Sequence, residues 1–129
     1  MKMKLSSRTQ PSGFTFIELV IVITIVGLLA GIAIPKSIQA RDNARLSSIY
    51  NNLKQIEYAK EQWALDHGKT NGAAVADMSV LSGYFKDGRV RDVMRETYVP
   101  NPVGTPAEAS LPGIEALGPY GPGATIPAP

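Results

Sequence analysis

Residues 14–34, "FTFIELVIVITIVGLLAGIAI", form an apolar run in which only Thr15, Glu18 and Thr24 are clearly polar. As an α-helix the run would be about 31 Å long at 1.5 Å per residue, which matches a bilayer's hydrocarbon core of roughly 30 Å. Its many β-branched residues would suit a buried strand in water. Strands rarely run this long, however, and in lipid every backbone group must be satisfied within the segment, so length and solvent favour a helix. Lys2, Lys4 and Arg8 precede the run with no acidic residue among them. By the positive-inside rule this leaves the N-terminus in the cytoplasm and sends the rest of the chain across. A charged start followed by an apolar stretch also describes a removable secretory signal, with Gly31-Ile32-Ala33 as a loose cleavage site. The run is longer than the usual signal and Glu18 interrupts it. On length and flanks, a retained anchor and a removed signal both stay open.

Whatever its fate, the run limits the rest. The 129-residue chain less its first 34 residues leaves 95 for any water-facing fold, which argues against a large enzyme core. There is no cysteine, so disulfides, thiolate metal sites and thiol nucleophiles are excluded, and the redox compartment cannot be read from cysteine usage. The formal charge of +2 comes from 13 basic and 11 acidic residues, and all the acidic ones follow position 13. Without residues 1–13 the balance is 13 minus 3, or 10 basic residues, against 11 acidic. A nucleic-acid partner inferred from overall basicity thereby loses its support.

Taken whole, "GFTFIELVIVITIVGLLAGIAIP" resembles the N-terminus of type IV pilins and of the pseudopilins of type II secretion systems. The matching residues are Gly13 before Phe14, then Thr15, Glu18 five positions after Gly13, the β-branched and leucine-rich run, and Pro35 closing it. In that family a prepilin peptidase cuts after the glycine on the cytoplasmic side and methylates the new amino terminus. Carried over, the resemblance implies a leader over residues 1–13, a cut between Gly13 and Phe14, N-methylation of Phe14, and a mature chain of 129 minus 13, or 116, residues. It further implies a subunit held in the bacterial inner membrane that polymerises with itself and related pilins into a periplasmic or extracellular filament. An inner-membrane assembly platform with an ATPase would drive that assembly.

A carboxylate within a membrane helix is costly and usually marks function. Once Phe14 carries a free ammonium, one helical turn separates it from Glu18, and an ion pair becomes available within the chain or to a neighbouring subunit. The resemblance implies that this Phe14–Glu18 pair registers an incoming subunit. The plainer alternative is a carboxylate favoured by the positive end of the helix dipole at headgroup level. Gly27, Gly31 and Pro35 recur every four residues along one stripe, and Pro35 removes the amide that would bond the Gly31 carbonyl. The stripe suits close packing through "GLLAG" or, as the family implies, local unwinding when subunits pack into a filament.

Beyond Pro35, the apolar positions Leu46, Ile49, Leu53, Ile56, Ala59 and Trp63 recur at three or four residues, while Arg45, Asn52, Lys54, Gln55 and Lys60 take other faces. The spacing predicts an amphipathic continuation of the anchor over 35–67, stopping at His67-Gly68, with Trp63, Tyr58 and Tyr50 as packing residues. From Phe14 to Asp66 such a helix would be about 80 Å long. A small head is expected over 68–109, starting at the Asn71-Gly72 turn, with Asp77 capping a short helix that ends near Gly83 before a turn at Asp87-Gly88. Extended pieces are expected around Arg89–Met94 and Thr97–Val99, giving a small antiparallel sheet of two or three strands. Five prolines and four glycines from Ser110 onward predict an irregular or mobile tail over 110–129. The expected class is therefore α+β, a pilin-like long helix with a small head. Some small pilin-like heads are closed by a cysteine pair, which this chain lacks, so core packing and neighbours must hold its head.

No catalytic constellation is visible, and no enzymatic activity is expected. His67 is the only histidine and sits at the predicted helix end, where a cation suits the dipole. Asp77, Asp87 and Asp92 lack the spacing of a calcium loop, so neither a metal nor a cofactor is expected. Lys86, Arg89, Arg91 and Arg95 are interleaved with Asp87, Asp92 and Glu96, the pattern of a solvated mixed-charge face rather than a nucleic-acid surface.

Overall fold

The computed structural model describes residues 13–129; apart from Gly13, the expected leader, with Lys2, Lys4 and Arg8, lies outside them. Helix α1 (Phe16–Asp66) is followed by a short 3-10 helix (Met78–Tyr84) and three strands, β1 (Thr97–Val99), β2 (Glu108–Ser110) and β3 (Thr125–Pro127). This is the α+β arrangement expected from the sequence. The chain divides into two compact units, one ending at Ser37 and the other Ile38–Pro129.

In the first unit the apolar side chains have no protein cover: Phe16 is 82% exposed and Leu28 69%. The segment is long and apolar enough to cross a membrane. The Thr24 hydroxyl donates to the Val20 carbonyl at 2.7 Å. Helix α1 carries Pro35 inside it and remains helical there.

In the second unit, α1 turns the stripe Ile49, Leu53, Ile56, Ala59, Trp63 and Ala64 into the core. Two positions correct the sequence reading. Tyr58 is 66% exposed rather than packed. Lys60, assigned to a solvent face because of its charge, is buried; four residues after Ile56, it lies on the core stripe by helical geometry. The helix stops where predicted. Gly68 adopts φ +58°, the Lys69 amide donates to the Ala64 carbonyl at 2.7 Å and the Gly68 amide to that of Leu65. This pair of bonds is the Schellman motif, which favours glycine because a Cβ is disfavoured at positive φ. The His67 ring accompanies it, with Nδ1 2.9 Å from the Trp63 carbonyl.

Asp77 caps the 3-10 helix as expected, its carboxylate accepting from the Ser79 amide at 2.7 Å. The three strands form one antiparallel sheet in the order β1-β2-β3, with Tyr98 opposite Ala109 and Ala109 opposite Ile126. The expected extended piece at Arg89–Met94 is not a strand. The buried Glu96 carboxylate accepts from the amides of Val93 (2.8 Å) and Met94 (2.7 Å), and Arg95 turns the chain at φ +65°. The donors a ladder would need are thereby already engaged. Tyr98 donates its hydroxyl to Glu96 at 2.5 Å, and the Asn52 amide on α1 donates to the Tyr98 oxygen at 2.8 Å, tying this loop to the helix.

The tail also differs from expectation. Its backbone is largely irregular, as proline and glycine dictate, yet it contributes β3, and Leu117 and Ile126 are fully buried. The Tyr120 hydroxyl lies 3.0 Å from that of Tyr50 on α1. Short apolar stretches between turns supply too few residues to show periodicity, so the sequence alone hides their burial.

Candidate functional site at the start of the apolar helix

Gly13, Phe14 and Thr15 precede the helix, and α1 begins at Phe16 rather than Phe14. Thr15 explains the difference. Its hydroxyl accepts from the Glu18 amide at 3.2 Å, and Glu18 Oε2 reaches back to accept from the Thr15 amide at 2.8 Å and from the Thr15 hydroxyl at 3.0 Å. Thr15-Phe16-Ile17-Glu18 is a capping box, in which the two residues satisfy each other's otherwise orphaned donors. The positive end of the helix dipole adds to the preference for a carboxylate here.

This arrangement refines the sequence reading, which assigned Glu18 to the dipole or to an ion pair and passed over its bonds to Thr15. The signal was present, since a threonine followed three residues later by glutamate ahead of an apolar run is the capping-box pattern. In the uncut chain the Phe14 nitrogen belongs to the Gly13–Phe14 peptide, and the Glu18 bonds go to Thr15. That peptide lies outside the helix, and Gly13 and Phe14 are exposed. Both capping residues lie on the C-terminal side of it, so a cut there leaves the box intact.

Gly27, Gly31 and Pro35 lie further along α1. A Cβ placed at Gly27 or Gly31 would meet nothing within 4 Å, so neither glycine is required by packing inside this chain. Among the described residues no three His, Asp or Glu side chains converge as a metal site would require.

A capped, uncovered apolar helix leading into a small antiparallel head defines a membrane-anchored protein of pilin-like architecture. Comparison with known proteins agrees. Residues 8–34 match the family described as the prokaryotic N-terminal methylation motif. The chain is 35% identical over 60 residues to the type II secretion system core protein G of Pseudomonas aeruginosa, covering 46% of this chain and 42% of that one. It is 37% identical over 89 residues to the type IV major pilin protein PilE of Neisseria gonorrhoeae, covering 65% and 53%. With a fimbrial protein of Neisseria meningitidis serogroup A it shares 31% over 105 residues, 74% and 62% of the two chains. The chain thus spans about half the length of the curated relatives it matches. No solved structure gives a significant match. Over these spans the chain is similar to pilins and pseudopilins, and its residues 8–34 carry the N-terminal methylation motif.

Proposed function

We propose that this chain is a structural subunit of a type IV pilus-like filament, without enzymatic activity. The observation that carries the reading is the run 14–34, capped at its start and uncovered by the rest of its own chain. Such a surface needs lipid before assembly and other helices afterwards. In this reading the leader stays cytoplasmic, prepilin peptidase cuts between Gly13 and Phe14 and methylates Phe14, and an ATP-driven inner-membrane platform extracts the subunit into a periplasmic or extracellular filament. Its partners are itself, related pilins and the bilayer. Glu18, already held by Thr15, presents its charge at the helix start, where the Phe14 ammonium of its own or a neighbouring subunit can pair with it. Gly27, Gly31 and Pro35 give the helix a weak line along which it unwinds when subunits pack.

Mass spectrometry of the membrane-derived protein tests the processing: a 116-residue product (129 minus 13) beginning with methylated Phe14 is expected. A chain beginning beyond residue 30 would instead mean a removed signal and a secreted binding module. Filament assembly slowed by Glu18→Ala supports the pairing, and assembly at the wild-type rate ends it.

A second reading, a pseudopilin of a type II secretion system, is favoured by the relationship to the secretion core protein G. Deletion separates the two: loss of surface fibres supports the first, and loss of protein secretion with fibres intact supports the second.

A further inference from the structure

Lys60 is 1% exposed, although it sits on the core stripe of α1 directly after Ala59. A buried ammonium needs an acceptor for each of its three N–H groups. Here Nζ donates to the carbonyls of Thr105 (2.6 Å) and Pro100 (2.8 Å) and lies 3.0 Å from Glu57 Oε1. The two carbonyls belong to the connection between β1 and β2, residues 100–107. Glu57 Oε1 also accepts from the Ala107 amide at 2.5 Å, so one carboxylate oxygen joins the ammonium to the far end of that connection. The loop is shaped for this convergence. Asn101 and Gly104 take positive φ, and the Asn101 amide donates to the Pro106 carbonyl at 2.8 Å.

We propose that the Lys60 ammonium is an internal cation around which the β1–β2 connection closes, and that its three oxygens form a site selective for a primary ammonium. No cysteine is present to cross-link the loop, and the tethered cation does that work by charge-assisted hydrogen bonding. Its removal leaves the Pro100 and Thr105 carbonyls and the Glu57 carboxylate facing each other without the cation between them. A cavity of about 480 Å³ lined by Glu57, Lys60, Thr105 and Pro106 lies beside the site and gives a free ion a route in. The site joins α1 to the β1–β2 connection within the unit Ile38–Pro129.

The test uses the full chain in detergent micelles, with hydrogen exchange read at the amides of Val103 and Ala107. Lys60→Ala should lower their protection about tenfold or more, as expected when buried acceptors lose their donors. n-Propylammonium replaces the atoms removed and should restore protection, whereas n-propanol and tetramethylammonium should not. Unchanged protection in the variant, no restoration by n-propylammonium, or equal restoration by n-propanol overturns the proposal. Should the variant not fold, acylation of the wild-type lysines by an N-hydroxysuccinimide ester decides. Lys60 should react about tenfold or more slowly than exposed Lys54 because it must wait for local opening, and equal rates overturn the proposal.

Discussion

Two residues of the head carry contrasting energetic roles. Leu53 is fully buried on the core stripe of α1, and Leu53→Ala should destabilise the head by about 2–5 kcal/mol through lost burial and the cavity left behind. The shift in denaturant midpoint measures this. Glu96 acts through charge. Burial raises its pKa, but the bonds from the Tyr98 hydroxyl and from the Met94 and Val93 amides outweigh burial and hold it below the ordinary value of 4.5. A depressed carboxylate stabilises the fold fully above its unfolded pKa and loses that contribution as pH falls through its folded one. Stability should therefore drop on acidification below about pH 4.5. Glu96→Gln should flatten this part of the curve, and thermal unfolding of both proteins across that range checks it. Parallel acid limbs would show that other carboxylates dominate. Burial raises the Tyr98 pKa, with the Glu96 carboxylate beside it adding to the effect, so the phenol remains the donor throughout this range.

At the scale of elements, the ends of α1 are set by local chemistry that the sequence displays: Thr15 with Glu18 at the start, and Gly68 at the stop. Gly68→Val places a β-branched side chain at φ +58°, where an L-residue costs roughly 1–2 kcal/mol. The same substitution at Gly83, whose φ lies outside the positive region, should cost much less, and comparing the two melting temperatures isolates the backbone effect. The strands obey a different logic. Each is three residues long, too short for alternation to be read, and β3 lies in the proline- and glycine-rich tail. Deleting residues 124–129 should expose Ala109 and the free edge of β2 and unfold the sheet, even though composition marks the tail as dispensable. Loss of hydrogen-exchange protection at residues 108–110 would register this, and retained protection would show that β3 is an accessory.

For the whole molecule, the proposed processing would alter charge as well as length. Cutting after Gly13 removes Lys2, Lys4 and Arg8, taking the side-chain charge from +2 to 10 minus 11, or −1. Isoelectric focusing should thus move the mature form to a distinctly lower pI than the precursor, and equal positions would mean that the leader is retained. The sequence by itself determined the apolar run, the amphipathic stripe, the helix stop and the N-terminal methylation motif, because each is local or periodic. A run of hydrocarbon, a spacing of three and four, or a glycine at a cap acts through neighbours in the chain. Tertiary structure alone decided the burial of Lys60, the use of Glu96 as a backbone acceptor in place of a strand at Arg89–Met94, and the packing of Leu117 and Ile126. Lys60 finds its acceptors 40 and 45 residues away, and only the folded chain brings those carbonyls to the ammonium. The Glu96 bonds are local, to amides two and three residues back, and their turn is held to α1 through Tyr98 and Asn52.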